Sequence, residues 1–370
     1  MQGYCWKNAP RLENMKKANR NLRQQWPQWD ERDEWEERWL TLLGEPGYPL
    51  EEYRRAGLKG AEKVAETICE APGDDFEVES WRLAVGPRER QKIILLRPRS
   101  EARKRLAING KLPCAIVPFY EPETSAGLEL DSDRHGLSRV RVETTKLKLR
   151  QYGLDLVRRG YLVVCAEAYP FNMVPPPAEN AASVDGTGSG DGFARWRAAA
   201  AVLREHYPSW TGLGKLVHDT RCAITFLLQQ PDADASRLAA MGHSLGGKMA
   251  FYTGCLDERV KAIVASDFGL PWASTNWDDA WYLGAKRPAP GSDLTHDKLL
   301  ALLAPGAFFL IAGETDDEES WEIVERARPL FPPTPGDRLA WFNHASGHSP
   351  TPESLAAAYE WLERRWQEGC

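Results

Sequence analysis

From about residue 76 onward, nearly continuous apolar runs alternate with helical stretches, and this alternation limits the fold more than any other feature of the chain. The runs include CAIVPFY (114–120), YLVVCAEAY (161–169), RLAAMGHS (237–244), VKAIVASDF (260–268) and GAFFLIAGE (306–314). A strand that faces solvent on one side alternates apolar and polar residues; a strand that is apolar throughout must be covered on both faces. Strands of this kind separated by helices predict an α/β fold with a mostly parallel central sheet and helices on both faces. Ahead of them, FEVESWRLAV and QKIILLRP read as two antiparallel neighbours. Helices are expected near 144–160, 193–206, 215–229, 246–256, 320–331 and 352–367, with a last strand at 338–344 between the final two.

The first 75 residues read as a separate, Trp-rich helical extension, leaving 76–370 as the main domain. Trp35, Trp39, Leu42 and Leu43 recur at helical spacing after Asp30, a plausible cap, and Gly44 with Pro46–Pro49 ends that helix. Residues 51–68 read as a second helix. The apolar stripe is narrow, so the extension should pack on the larger body, and its helices also offer a surface on which a second subunit could assemble. Two insertions interrupt the main domain. Residues 171–192 are rich in Pro and Gly, and residues 268–298 carry Trp272, Trp277 and Trp281. Long loops of this kind often bind ligands. The three tryptophans could stack on a substrate ring or simply pack the loop. The spaced glycines of GTGSGDG do not follow a strand, so they read as a loop and not as a nucleotide site.

Composition excludes several classes. Lys plus Arg is 47 against 53 for Asp plus Glu, a net charge of −6, which argues against nucleic-acid binding. No apolar run is long enough for a membrane span. The first twenty residues hold no apolar stretch, so no signal peptide is read there and a cytoplasmic location is expected, although a trimmed leader would leave the same sequence. The 7 cysteines are widely spaced and sit mostly among apolar neighbours, so buried thiols are expected in place of a disulfide framework or a zinc site.

The chemistry concentrates in Gly242-His243-Ser244-Leu245-Gly246, a G-x-S-x-G at a strand-to-helix junction. Such a turn is sharp, strains the serine backbone and presents its hydroxyl at the carboxyl end of the sheet beside a helix N-terminus. Elsewhere the same motif could be no more than a tight connection. A serine hydroxyl needs an adjacent base. His206 and His218 fall inside helices, and His243 should point away from the serine. That leaves His344 and His348 after the last strand. Gly347 lets the chain turn His348 back toward Ser244, so His348 is favoured as base and His344 as an anchor of the loop. The H-x-x-x-H spacing does not predict a metal site, because Gly347 and Pro350 oppose a helix and no third ligand is evident. The base in turn needs an acid. Asp316, just past strand AFFLIAG, is favoured, with Asp317 and Asp267 as competitors; each could instead be a loop residue or a helix cap. The backbone amides of Leu245 and Tyr120 are the candidate oxyanion donors.

With these residues in hand, the chain resembles the α/β-hydrolase superfamily over roughly residues 76–366. More closely it is similar to bacterial dienelactone-hydrolase-like and acetyl-xylan-esterase-like enzymes. The resemblance rests on PFYEPETS, WTGLGKLVHDTRCAITFLLQQP, RLAAMGHSLGGKMAFYTGCLDERVKAIVASD, STNWDDAWYLG and GHSPTPE. It implies the α/β-hydrolase fold, Ser244 as nucleophile, His348 as base and Asp316 as acid. It further implies hydrolysis of carboxylic esters, often acyl groups on sugars, with no metal or cofactor. Dienelactone hydrolases use cysteine, so the serine points to the esterase side. A peptidase or amidase on the same scaffold, or a non-catalytic binding protein that keeps the fold, are the competing readings.

Overall fold

The computed structural model describes residues 31–71, 74–128, 149–169, 172–173, 193–274, 276–331 and 338–368 of the 370-residue chain. The proposed cap Asp30, the first twenty residues, the GTGSGDG run and all but Asn172 and Met173 of the 171–192 insertion lie outside them.

Among the described residues nine strands form one sheet: β1 (Ala61–Ala71), β2 (Asp74–Ala84), β3 (Arg90–Pro98), β4 (Leu112–Phe119), β5 (Leu162–Glu167), β6 (Ala233–His243), β7 (Ala262–Ser266), β8 (Ala307–Ala312) and β9 (Leu339–Asn343). Their spatial order is β1-β2-β3-β5-β4-β6-β7-β8-β9. The first three run antiparallel, β3 joins β5 antiparallel, and every pair from β5 to β9 is parallel. Every residue of β4, β5, β7 and β8 is buried, as two-sided coverage requires.

That coverage comes from two helical layers. On one face lie α7 (Gly212–Leu228) and α8 (Leu245–Leu256), whose Leu216, Ile224, Met249 and Phe251 are sealed in the larger core. On the other lie α5 (Tyr152–Arg158) and α11 (Pro352–Glu368), whose Tyr152, Leu156, Ala358 and Leu362 fill the second core. The remaining helices are α1 (Arg32–Leu43), α2 (Leu50–Ala56), α3 (Ser100–Leu106), α4 (Pro122–Ala126), α6 (Ala194–His206), α9 (His296–Ala301) and α10 (Glu318–Ala327). Cys114, Cys165, Cys222 and Cys255 are buried free thiols, as their apolar neighbourhoods predicted. Among the described residues no helix is long and apolar enough to cross a membrane.

The N-terminal segment departs from its reading. A helix was expected through residue 68, but α2 stops at Ala56, and β1 follows and pairs along its length with β2. Gly57 (φ 47°) breaks the helix. The segment AEKVAETI also carries β-branched Val64 and Ile68 on an outward edge, where they are 37% and 51% exposed. A division at residue 75 therefore runs through β2. The α1 helix is equally integrated. Trp39 is fully buried and stacks on Trp272 and His296, while the Leu43 carbonyl accepts from both the amide and the hydroxyl of Thr211 at the start of α7.

Candidate active site

Ser244 sits between β6 and α8 with φ 53° and ψ −114°, a positive-φ conformation that a side-chain-bearing residue adopts only under constraint. The flanking glycines make the bend possible. A Cβ on Gly242 would stand 2.1 Å from the Gly246 carbonyl oxygen, and one on Gly246 would stand 2.2 Å from that of Pro118 in β4. The Ser244 amide donates to the Ser266 carbonyl of β7 (2.8 Å), so the elbow is pinned between two strands. Leu245 opens α8, where an amide has no intrahelical acceptor. Tyr120 follows the last residue of β4 and packs its ring edge-on against Phe119 and Trp196.

The loop after β9 brings His348 back to the elbow, and its Nε2 lies 2.8 Å from Ser244 Oγ. The imidazole is pushed down to about 4, first by burial and then by the positive charges of Arg150 and Lys248. Its Nδ1 is buried without a hydrogen-bond partner. His243 does not stand apart from the site, since its ring centre is 5.0 Å from that of His348. Burial holds it well below the usual histidine range.

Among the described residues no carboxylate bonds His348, and the three acidic candidates divide as follows. Asp316, the favoured acid, is fully buried but occupied elsewhere. It accepts from the amides of Gly269 (2.8 Å) and Leu270 (2.7 Å) and from Ser320 Oγ (2.8 Å), which ties the start of the 268–298 loop to α10. The expected bond to the base is thus not made, because β8 delivers this carboxylate to the backbone beyond β7. Asp317 caps α10 through the Glu319 amide (3.0 Å). Asp267, directly after β7 with φ 50°, is the carboxylate that reaches the histidine loop. It meets His344 Nε2 at 2.9 Å, accepts from Ser266 Oγ at 2.6 Å and lies 3.8 Å from His243 Nδ1. Its carboxyl is pushed up to about 6, mainly by burial. The structure therefore brings together Ser244 with His348, and His344 with Asp267, as two adjacent pairs.

The three loop tryptophans pack more than they expose. Trp277 is 1% and Trp281 5% exposed. Trp277 donates to the Gly269 carbonyl (2.6 Å), Trp281 stacks on Phe193, and the half-buried Trp272 covers His296 at 4.1 Å between ring centres. Two residues near the serine escaped the reading of the sequence. Lys248, one turn into α8, is buried. Its ammonium donates to the Phe268 carbonyl (2.8 Å), lies over the Trp277 ring (4.5 Å), and is pushed down to about 7 chiefly by burial. A lysine inside the apolar stretch GGKMAFY was the available signal. Arg150 precedes α5 and reaches the Ser349 hydroxyl (3.2 Å); nothing in its local sequence marked it.

Strand order, elbow and returning histidine together define the α/β-hydrolase fold, and comparison with known proteins agrees. The chain superposes on a glucuronoyl esterase from Solibacter usitatus with a TM-score of 0.57 at 14% identity, over 91% of this chain and 93% of the other. It superposes on a protein from Bacteroides fragilis NCTC 9343, provisionally assigned as an acetyl xylan esterase, with a TM-score of 0.56 at 16% identity over 85% of both chains. At the level of sequence it is 29% identical over 83 residues to YtaP of Bacillus subtilis (strain 168), whose name assigns it provisionally as a hydrolase. That stretch is 22% of this chain and 27% of YtaP. No protein-family model matches the chain.

Proposed function

We propose that the protein hydrolyses carboxylic esters of carbohydrates through an acyl-enzyme on Ser244. The observation that carries this reading is the 2.8 Å contact between His348 Nε2 and a serine hydroxyl held on a strained elbow. The shared fold with the glucuronoyl esterase and with the provisionally assigned acetyl xylan esterase supports the carbohydrate ester as substrate class.

Ser244 Oγ attacks the acyl carbonyl while His348 Nε2 accepts its proton. The carbonyl oxygen becomes an oxyanion facing the Leu245 and Tyr120 amides. The tetrahedral adduct collapses, the C–O bond to the alcohol breaks, and the alcohol leaves with the proton from His348. Water, deprotonated by the same imidazole, then attacks the acyl-enzyme and releases the acid and the serine. A neutral imidazole is the form this base needs, and the burial that holds His348 down keeps it neutral at pH 7. When the ring becomes positive, Asp267, in contact with His344 and 3.8 Å from His243, supplies a buried negative charge behind it. Asp316 holds the loop that walls the site.

The test is a panel of methyl glucuronate, acetylated xylose, 4-nitrophenyl acetate and a matched 4-nitroanilide, with wild type and Ser244→Ala. Turnover of at least one carbohydrate ester that vanishes in S244A is expected. Turnover that persists in S244A removes Ser244 from the reaction, and an anilide cleaved as fast as the esters makes the protein an amidase.

A further inference from the structure

Several half-buried guanidinium groups in this chain are paired with carboxylates. Arg97 and Arg103 share Asp232, Arg237 binds Asp234, Arg259 binds Asp257, and Arg159 binds Glu363. Arg150 departs from this pattern. Its Nη2 donates to Ser349 Oγ, one residue past the base, at 3.2 Å. Its Nε is buried with no acceptor, and among the described residues no carboxylate forms an ion pair with it. Among the described residues, the groups that feel its charge include His348, His243, Tyr120 and Tyr152, none of them an anion at neutral pH.

Such a cation is costly for the chemistry proposed above, because His348 must become positive in each half-reaction and a neighbouring positive charge opposes that. The buried ammonium of Lys248 adds to the same field. Asp267 meets His344 and stands 3.8 Å from His243, not against Arg150, so among the described residues the guanidinium keeps a positive charge that a group from outside can match. A planar guanidinium edge with a free N–H selects a carboxylate, which it can meet through paired hydrogen bonds. A buried and unpartnered donor is also unstable until something accepts from it.

We propose that Arg150 is a specificity residue that binds a carboxylate on the substrate, so that the preferred ester is acidic, with the negative charge on its acyl or its alcohol part close to the scissile bond. This rests on the assignment of Ser244 and His348 as the reacting pair. Substrate binding then neutralises the cation beside His348 and eases formation of the imidazolium.

Two matched pairs of esters test the proposal and tell the two positions of the charge apart. 4-Nitrophenyl hydrogen glutarate against 4-nitrophenyl valerate places the carboxylate on the acyl side. 4-Acetoxybenzoate against its methyl ester places it on the alcohol side. In at least one pair the acidic member should show a kcat/KM about tenfold or more above the neutral one, carried by a lower KM together with a higher kcat. The ratio should fall to about unity in Arg150→Gln and recover in part in Arg150→Lys. Equal kcat/KM in both pairs, or a preference that survives in R150Q, overturns the proposal. If every ester is inert, the serine mechanism fails separately, and calorimetric titration with glutarate still decides. Binding that weakens about tenfold in R150Q supports the carboxylate site, and absent or unaltered binding overturns it.

Discussion

At the residue scale, the site is governed by how burial and charge act on a few titratable groups. Below about pH 4 His348 is protonated in the folded protein and cannot take the serine proton; above it the ring is neutral. The acid limb of kcat/KM should therefore lie near pH 4, well below the value of about 6.5 for an ordinary histidine. A pH profile on a neutral aryl ester measures this, and a limb near 6.5 would mean that His348 is solvated during the reaction. Asp267 and Asp316 separate by role. A carboxylate close to an imidazolium is worth one to two pK units at about 1.4 kcal/mol each, so Asp267→Asn should lower kcat roughly 10- to 100-fold. Asp316→Asn turns an amide N–H₂ toward donors and should cost about 1–3 kcal/mol of stability, with kcat kept within about threefold. Steady-state kinetics beside urea unfolding checks both, and the reverse pattern would restore Asp316 as the acid of the site. Ser244 was legible because glycine spacing and strand-to-helix context are local properties. His348 was legible because only two histidines follow the last strand. Asp316, Asp317 and Asp267 were all candidates, but which of them reaches the histidine loop was not legible, since that depends on how the ends of β7 and β8 meet in space. Asp267 and Asp316 are 49 residues apart in the chain and occupy the same neighbourhood.

At the scale of elements, apolar runs specify a strand well where both faces are buried and poorly at an edge. The fully buried β4, β5, β7 and β8 were all read directly from sequence. AEKVAETICEA was not, because its spacing of apolar residues satisfies a period of two and of 3.6 alike, and pairing with β2 decides between them. The α1 helix shows how an apparent appendage becomes core. Trp39 fills the space among Trp272, Tyr252 and His296, so the helix fixes the wall of the 268–298 loop from outside. Truncating a fully buried tryptophan costs about 3–5 kcal/mol. Trp39→Ala should lower the unfolding free energy by that amount in urea titration. A loss under about 1 kcal/mol would mean that α1 sits on the surface without supporting the loop.

At the scale of the whole molecule, the parallel sheet carries the elbow and the returning loop to one carboxyl-terminal edge, where the Ser244 hydroxyl and the His348 imidazole, 104 residues apart in sequence, meet. Mixed topology at the other end, with β1 to β3 antiparallel, extends the sheet without reaching the site. The central claim is that Ser244 is a nucleophile activated by that arrangement. Intact-mass analysis after treatment with a fluorophosphonate, followed by peptide mapping, tests it most directly. One adduct per chain on the peptide containing Ser244, absent in Ser244→Ala and strongly slowed in His348→Gln, is the predicted result. An unlabelled wild-type protein, or an adduct mapped to another residue, would contradict it.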